Sequence, residues 1–517
     1  MCNHSWKDTI KRLTAKPLIN KYLITRLNYF KRWGTYLSKT ALALFLIFCL
    51  NSAVNLQNSR ILVNAGSSLL IVGEGGYDSI QEAINNASSG DVIFVRKGVY
   101  RENIIINKAV TLMGEDRENT IIDGDSKGNV ISINASYVNI SGFTIKNSEP
   151  ITGYGIVVDH SEKVIIQNNI IRGNGIGIQL TYSSENQVYN NTVSTNRIGL
   201  HLFCSAKNAI YRNVITINTD GIFIYYSTDN SFYENTIYSN YFGVFVFHYG
   251  DNNIFYHNNF VNNVNNVYAE QATSNLWSYK GEGNYWNDYR GNDMNGDGIG
   301  DVPRKITDKN NDDYPLMGRF CAFAVSYKGS VHYVATTSNA TIHNFAFKTT
   351  TELGSNMLLF DVGTVDGSAG FIRMTIPKEL MDNVHMVLID DEKVNVNFLN
   401  VTEGKNIYLY FTFFGNCSVK IVYSEILELY HQLLKSYSEL LDKFYDLNES
   451  YFKLLALNAS NTMLIEKINI LNEALYDQTE NFKGLTYVFS ASVAIFIVTT
   501  IYLSKKAHEK RGQVIKS

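Results

Sequence analysis

Gly155-Ile-Val-Val-Asp159, Gly177-Ile-Gln-Leu-Thr181, Gly199-Leu-His-Leu-Phe203, Gly221-Ile-Phe-Ile-Tyr225 and Gly243-Val-Phe-Val-Phe247 recur every 22 residues, and this stretch decides the fold. Asparagine keeps the same period in three columns: Asn174, Asn196, Asn218, Asn240, Asn262; Asn169, Asn191, Asn213, Asn235; and Asn186, Asn208, Asn230, Asn252. Self-similarity at such a period marks a solenoid. Inside each unit the apolar residues alternate with a period of two, as in Ile156/Val158, Ile178/Leu180, Leu200/Leu202, Ile222/Ile224 and Val244/Val246, so the units are built of strands. The L-x-x-L-x-L spacing and helical segment of a leucine-rich repeat are absent. Each unit therefore reads as one coil of a parallel β-helix, stacking its inward residues on equivalents about 4.8 Å away. Asparagine suits the corners because it tolerates the left-handed backbone region and bonds its own main chain. Stacked on identical neighbours, its amide also forms a ladder.

The Gly-Ile-x-Ile runs with Asn-Asn turns resemble the NosD-type periplasmic copper-binding protein family and the wider group of carbohydrate-binding and sugar-hydrolase β-helix domains. The entry from Tyr77 to Gly124 (YDSIQEAINNASSGDVIFVRKGVY and onward) is similar to the start of many pectin-lyase-like β-helices. GNYWNDYRGNDMNGDGIGDVPRKITDKNNDDYPLM, from Gly283 to Met317, resembles the close of a NosD-type domain. The resemblance covers about Leu69 to Met317 and implies a right-handed helix, with glycans as the favoured partner. One β-helix hosts many chemistries, so it specifies fold more than activity.

The formal net charge of −3 hides an asymmetry. Residues 1–39 hold nine Lys/Arg against one Asp, the tail from Ser504 holds five against one Glu, and the rest carries 31 basic and 46 acidic residues, a balance near −15. Nucleic acid is excluded as a partner, because its binding needs phosphate-neutralising cations. Thr40–Leu50 is an 11-residue apolar run, short for a span, and reads as a signal-peptide core or a signal anchor. Leu485–Leu503 is 19 residues without a charge, followed by Lys505, Lys506, Lys510 and Arg511, and reads as a transmembrane helix with a cytoplasmic tail. The bulk between then lies outside the membrane. Asn-x-Ser/Thr sequons at Asn86, Asn134, Asn139, Asn190, Asn339, Asn400, Asn416, Asn448 and Asn458 agree with that placement.

The expected order of parts is a basic leader (1–39), a signal segment (40–60), the β-helix with its cap and exit loop (61–318), a β-sandwich (319–424), a helical stalk (425–483), the membrane helix (484–503) and a basic tail (504–517). Asp78–Ala87 reads as a short amphipathic cap helix with Ile80, Ala83, Ile84 and Ala87 on one face. Heptads of Ile426, Leu433, Leu440, Leu447 and Leu454, with Tyr430, Tyr437, Phe444 and Tyr451 four residues on, predict a coiled-coil stalk of roughly 75 Å that joins copies, or a helix folded back on the sandwich. Cys321 and Cys417 are either bonded across the sandwich or free.

Outward residues line up in columns. One reads Val157, Gln179, His201, Phe223, Phe245; its neighbour reads Asp159, Thr181, Phe203, Tyr225, Phe247. The six residues His201, Phe203, Phe223, Tyr225, Phe245 and Phe247 form the candidate carbohydrate face, expected to be a flat sheet of rings; the opposed reading has the exit segment or the sandwich covering them. Tyr189, Tyr211, Tyr233 and Phe255 form a further column of the same kind. Inverting glycosidases need two carboxylates ~6.5–9.5 Å apart, and Asp159, the one candidate catalytic residue, has only Thr181, Phe203 and Tyr225 along its column. Asp293, Asn295, Asp297, Ile299 and Asp301 have the spacing of a calcium loop, with Arg304 where the bidentate Glu belongs, so a structural Ca²⁺ is expected there or else a plain Asp/Gly turn. Copper fits poorly, since His160, His201, His248 and His257 are scattered. The reading is a membrane-anchored surface protein that binds polysaccharide; a polysaccharide lyase or hydrolase, a structural envelope component and a NosD-like copper-maturation factor are the alternatives.

Overall fold

The computed structural model describes residues 67–270, 274–350, 355–399, 404–457 and 462–514. The basic leader, the signal segment and the sequons at Asn400 and Asn458 lie outside the described residues.

Alternation within the 22-residue unit gives three strands per coil. A six-residue strand (Tyr154–Asp159, Ile176–Thr181, Ile198–Phe203, Asp220–Tyr225, Phe242–Phe247, Asn265–Glu270) is followed by two three-residue strands, such as Ile165–Gln167 and Ile170–Arg172. Coils stack into three parallel sheets of eight, nine and nine strands, and residues 22 apart are paired: Val157 with Gln179, Gln179 with His201, His201 with Phe223. The inward residues Ile156, Ile178, Leu200, Ile222 and Val244, together with Val158, Leu180, Leu202, Ile224 and Val246, are wholly buried. Each such side chain contributes about 1.5–3 kcal/mol by leaving water. At the entry, helix α1 (Ile80–Asn86) is capped by Ser79 and buries Ile80, Ala83 and Ile84 over the open end of the core. At the exit, Trp277 stacks on Phe255 at 4.2 Å and Trp286 on Phe260 at 4.2 Å, closing the other end.

The glycine column answers to coil spacing. A Cβ on Gly177, Gly199 or Gly221 would lie 2.5–2.6 Å from the carbonyl oxygen of the equivalent glycine in the next coil. Asparagine recurs for its amide rather than for its backbone. The left-handed corners are held by varied residues, among them Lys163, Arg212, Ile217 and Glu234, while the ladder asparagines mostly come one residue later. In each ladder the main-chain N–H and the side-chain amide both donate to the Oδ1 above, as from Asn191 to Asn213 at 3.0 and 3.0 Å.

One residue is inserted after Phe247, where His248 and Tyr249 are both left-handed ahead of Gly250. The ladders consequently run on to Asn253, Asn258 and Asn263, one position beyond the strict period, and Asn252 and Asn262 become left-handed corners. The same shift replaces Phe255 by Tyr256 in the column Tyr189, Tyr211, Tyr233, and sends Phe255 into the core on Phe232.

Residues 319–424 form two antiparallel five-stranded sheets packed around Val334, Leu358, Ile372, Met374, Leu409 and Ile421. Cys321, Cys417 and Cys204 are free; Cys417 is buried and Cys321 lies on the exposed side of its strand. Helix α2 (Glu425–Leu457) continues directly from the last strand, and helix α3 (Thr462–Val514) returns along it. Tyr451 Oη donates to Asn469 Oδ1 at 2.7 Å, Tyr437 stacks near Phe482, and Tyr430 Oη lies 3.3 Å from Ser490 Oγ. The heptad seam of α2 therefore meets its own chain, in an antiparallel hairpin. It does not continue as one rod. Helix α3 includes a stretch, within Glu466–Lys506, long and apolar enough to cross a membrane.

Candidate functional site

The two predicted columns lie side by side on the outer face of the long-strand sheet, in register through five coils and into Tyr268 of the next. Their rings meet face to face between coils: His201 on Phe223 at 4.7 Å and 12°, Phe203 on Tyr225 at 5.5 Å and 24°, Tyr225 on Phe247 at 5.7 Å and 19°. Near-parallel rings at the coil spacing must turn their faces toward one another. The flat sheet of ring faces expected from the sequence is therefore a set of ridges that present ring edges outward. Phe245 breaks the run, at 83° to Phe223.

More exposed rings come from a column that sequence reasoning passed over. His160, Tyr182, Cys204, Tyr226 and His248 each follow the second column by one residue, on the left-handed corner of the coil. Tyr182 is 52% and Tyr226 43% exposed, and the inserted Tyr249 is 63% exposed. Tyr226 stands at 88° to Tyr225, so it forms a wall beside the ridge. The 22-residue period that revealed the other columns marks this one equally well.

At the N-terminal end of the face the residues turn polar. Gln179 is buried, and its Nε2 donates to Thr181 Oγ1 at 2.9 Å while its Oε1 has no partner. Neither ring nitrogen of His201 has a partner, and burial, with Arg197 nearby, pulls the imidazole down to about 4, so it is neutral. Burial raises the carboxyl of Asp220, with Arg197 opposing. Asp159 pairs with Thr181 along its column and bonds His160 Nδ1 at 2.9 Å, with no second carboxylate one coil away.

The sandwich docks elsewhere. Asn259 exchanges two 2.8 Å hydrogen bonds with the main chain of Phe320, His257 stacks on Phe320 at 4.1 Å, and Arg212 lies 3.6 Å from the ring centroid of Tyr333. The column Tyr189, Tyr211, Tyr233 and Tyr256 lies at this junction, and burial pushes Tyr233 and Tyr256 up to about 12. Covering by the sandwich thus applies to this column; among the described residues no ring contact or hydrogen bond joins His201, Phe203, Phe223, Tyr225, Phe245 or Phe247 to the sandwich.

Asp293, Asn295, Asp297, Ile299 and Asp301 do share one loop. Asp293 accepts from the N–H groups of Gly296, Asp297 and Gly298 at 2.8–3.1 Å, Asp297 from that of Ile299 at 2.9 Å, and Asp301 from that of Met294 at 2.6 Å. Among the described residues no three His, Cys, Asp or Glu side chains converge as metal ligands.

Parallel coils, asparagine ladders and an outward aromatic face define a parallel β-helix that carries its outward columns on a rigid frame. Residues 84–291, within the solenoid, match the family described as periplasmic copper-binding protein (NosD). The chain is also similar to a probable pectinesterase/pectinesterase inhibitor 6 of Arabidopsis thaliana, 34% identical over 87 residues, which is 15% of this chain and 16% of that protein. It thus spans under a fifth of that curated relative's length. Among solved structures, an alginate lyase from Paenibacillus sp. str. FPU-7 aligns with 16% identity and a TM-score of 0.30, over 42% of this chain and 97% of the other. A polygalacturonase from Erwinia carotovora ssp. carotovora aligns with 14% identity and a TM-score of 0.30, over 43% and 76%.

Proposed function

We propose that the chain is a membrane-anchored surface protein whose β-helix binds an extended polysaccharide along the ridge of Phe203, Tyr225 and Phe247 and the wall of Tyr182, Tyr226 and Tyr249. The observation that carries the reading is that, among the described residues, no ring contact or hydrogen bond joins this face to the sandwich, while the column Tyr189, Tyr211, Tyr233 and Tyr256 lies at the sandwich junction. The ridge rings Phe203, Tyr225 and Phe247 repeat once per coil, so a repeating polymer meets a similar ring edge at successive steps, with tyrosines beside it in some of the coils. The apolar stretch of α3 with its following cations supports a membrane anchor, and the NosD-type match supports an exterior solenoid. A lyase or hydrolase reading lacks the paired carboxylates that hydrolysis requires near Asp159.

The test uses full-length protein recovered from the membrane fraction in nanodiscs and probed on a glycan array. Polysaccharide binding is expected, with a loss of at least tenfold in Tyr226→Ala/Tyr249→Ala and in Tyr225→Ala, and none in the sandwich-edge variant Tyr333→Ala. A blank array, or binding untouched by these changes, overturns the reading.

A further inference from the structure

The three sheets of the solenoid do not end alike. In the long-strand sheet the first strand (Ile104–Ile106) is finished by helix α1: Ile105 donates its N–H to Gln81 Oε1 at 2.7 Å, and Gln81 Nε2 donates to Ile105 O at 3.2 Å. At the exit, the other two sheets are continued by the segment that follows. Leu276 bridges Ile254, Tyr285–Trp286 pairs with Asn259 and Phe260, and Leu316 bridges Tyr285 in turn. Two asparagine ladders run on with them, from the Asn275 N–H to Asn310 Oδ1 at 3.0 Å and from the Asn284 N–H to Asp312 Oδ2 at 2.8 Å. The third ladder stops. The Asn240 N–H donates to Asn263 Oδ1 at 3.0 Å, but Asn263 turns its amide to Asn266 of its own coil at 3.1 Å. The strand at this corner, Asn265–Glu270, pairs with Phe242–Phe247 on one side and, among the described residues, with no strand on the other. Its inward Val267 and Ala269 are only partly buried where Val244 and Val246 are wholly so, and Tyr268 is 40% exposed. Tyr289 and Ile306 reach the end of the core without extending this sheet.

We infer that this edge is a docking site for one extended segment of another polypeptide, added as the next strand of the sheet. The exit segment already occupies the next level above the other two sheets, so the open place is one strand deep. A second solenoid brought against it would meet that segment first. An extended chain fits: its alternate N–H and C=O groups meet those of the strand edge about 4.8 Å away, and apolar residues at every second position cover Val267 and Ala269. Edges that proteins keep free are blunted by charge or proline, and residues 265–269 carry neither.

The probe is a fluorescein-labelled peptide of this chain's own residues 194–203, which carries a ladder asparagine, Asn196, and the alternating Ile198, Leu200 and Leu202. Anisotropy with full-length protein in nanodiscs is expected to show saturable binding, at least tenfold tighter than for a scrambled peptide. Hydrogen exchange across residues 265–270 should slow on binding. Of two probes N-methylated at alternate residues, the one methylated on the side facing the strand should lose binding while the other keeps it. Ala269→Lys, which sets a charge at the edge, should weaken binding at least tenfold, with its melting transition as the check on folding. Equal binding of the scrambled peptide, or of both methylated probes, overturns the inference, as does an absence of saturable binding. Exchange at the strand that slows with protein concentration, without any probe, would put a second copy there and overturn it as well.

Discussion

The side chain of Asn213 reaches three coils at once. Its Oδ1 accepts from the main chain and amide of Asn191 at 3.0 and 3.0 Å, and its Nδ2 donates to Val188 O at 2.8 Å and to Asn235 Oδ1 at 3.0 Å. Replacing it by the similarly sized leucine strands several buried polar groups, each worth about 1–3 kcal/mol. Asn213→Leu is accordingly expected to cost roughly 3–5 kcal/mol in denaturant unfolding. Asn252→Ala, at the exposed corner the strict period places in a ladder column, is expected to cost less than about 1 kcal/mol. Equal losses at the two sites would refute the division between ladder and corner. The period of 22 made the ladders legible, but the shift to Asn253 was not, because His248-Tyr249-Gly250 reads as an ordinary turn until pairing shows one residue too many. The unpartnered nitrogens of His201 were likewise invisible, since they depend on what surrounds the ring.

At the scale of elements, the strands, the cap helix and the sandwich follow local pattern, and local pattern places them well. The exit loop is a harder case. Its calcium-like spacing is real in the sequence, and the carboxylates of Asp293, Asp297 and Asp301 also accept from N–H groups of the same loop, which by themselves help to order it. The melting temperature is expected to be the same with excess chelator as with calcium. A fall of several degrees on chelation would establish a structural cation there. The α2 heptads illustrate the opposite limit. A seam of leucine and tyrosine states that a partner helix exists and does not say whose it is. The return of α3 from residue 462 provides that partner within the chain, so joining copies through this seam requires a surface beyond it.

For the molecule as a whole, one ion cluster secures the sandwich to the last coils. Glu282 bonds His257 Nε2 at 2.6 Å and Arg373 Nη2 at 2.5 Å, while Arg373 Nη1 reaches the carbonyl of Asp297 at 2.8 Å. Burial alone would raise the Glu282 carboxyl, but its bond to His257 and the charge of Arg373 outweigh it and hold it down at about 2. A carboxylate lowered from its ordinary range stabilises above that range and loses the contribution as pH falls through the folded value. The expected window is from about pH 4.5 down to pH 2, with roughly 3 kcal/mol at stake. Amide protection at Phe320, taken relative to the intrinsic exchange rate at each pH, should fall in that window. In Glu282→Gln protection should already be low at pH 7 and show no further loss on acidification. Exchange that is indifferent to both would show that apolar packing alone holds the junction.

The sequence by itself determined the coil, its period, its inward and outward residues and the columns they form, because these depend on alternation and on neighbours 22 residues apart, which repetition writes out directly. Only the tertiary structure decided which aromatic column the sandwich covers, how the rings turn within the open one, and that Glu282 meets Arg373 from 91 residues away. Those outcomes rest on contacts between segments that share no repeat, and on ring torsions set by packing.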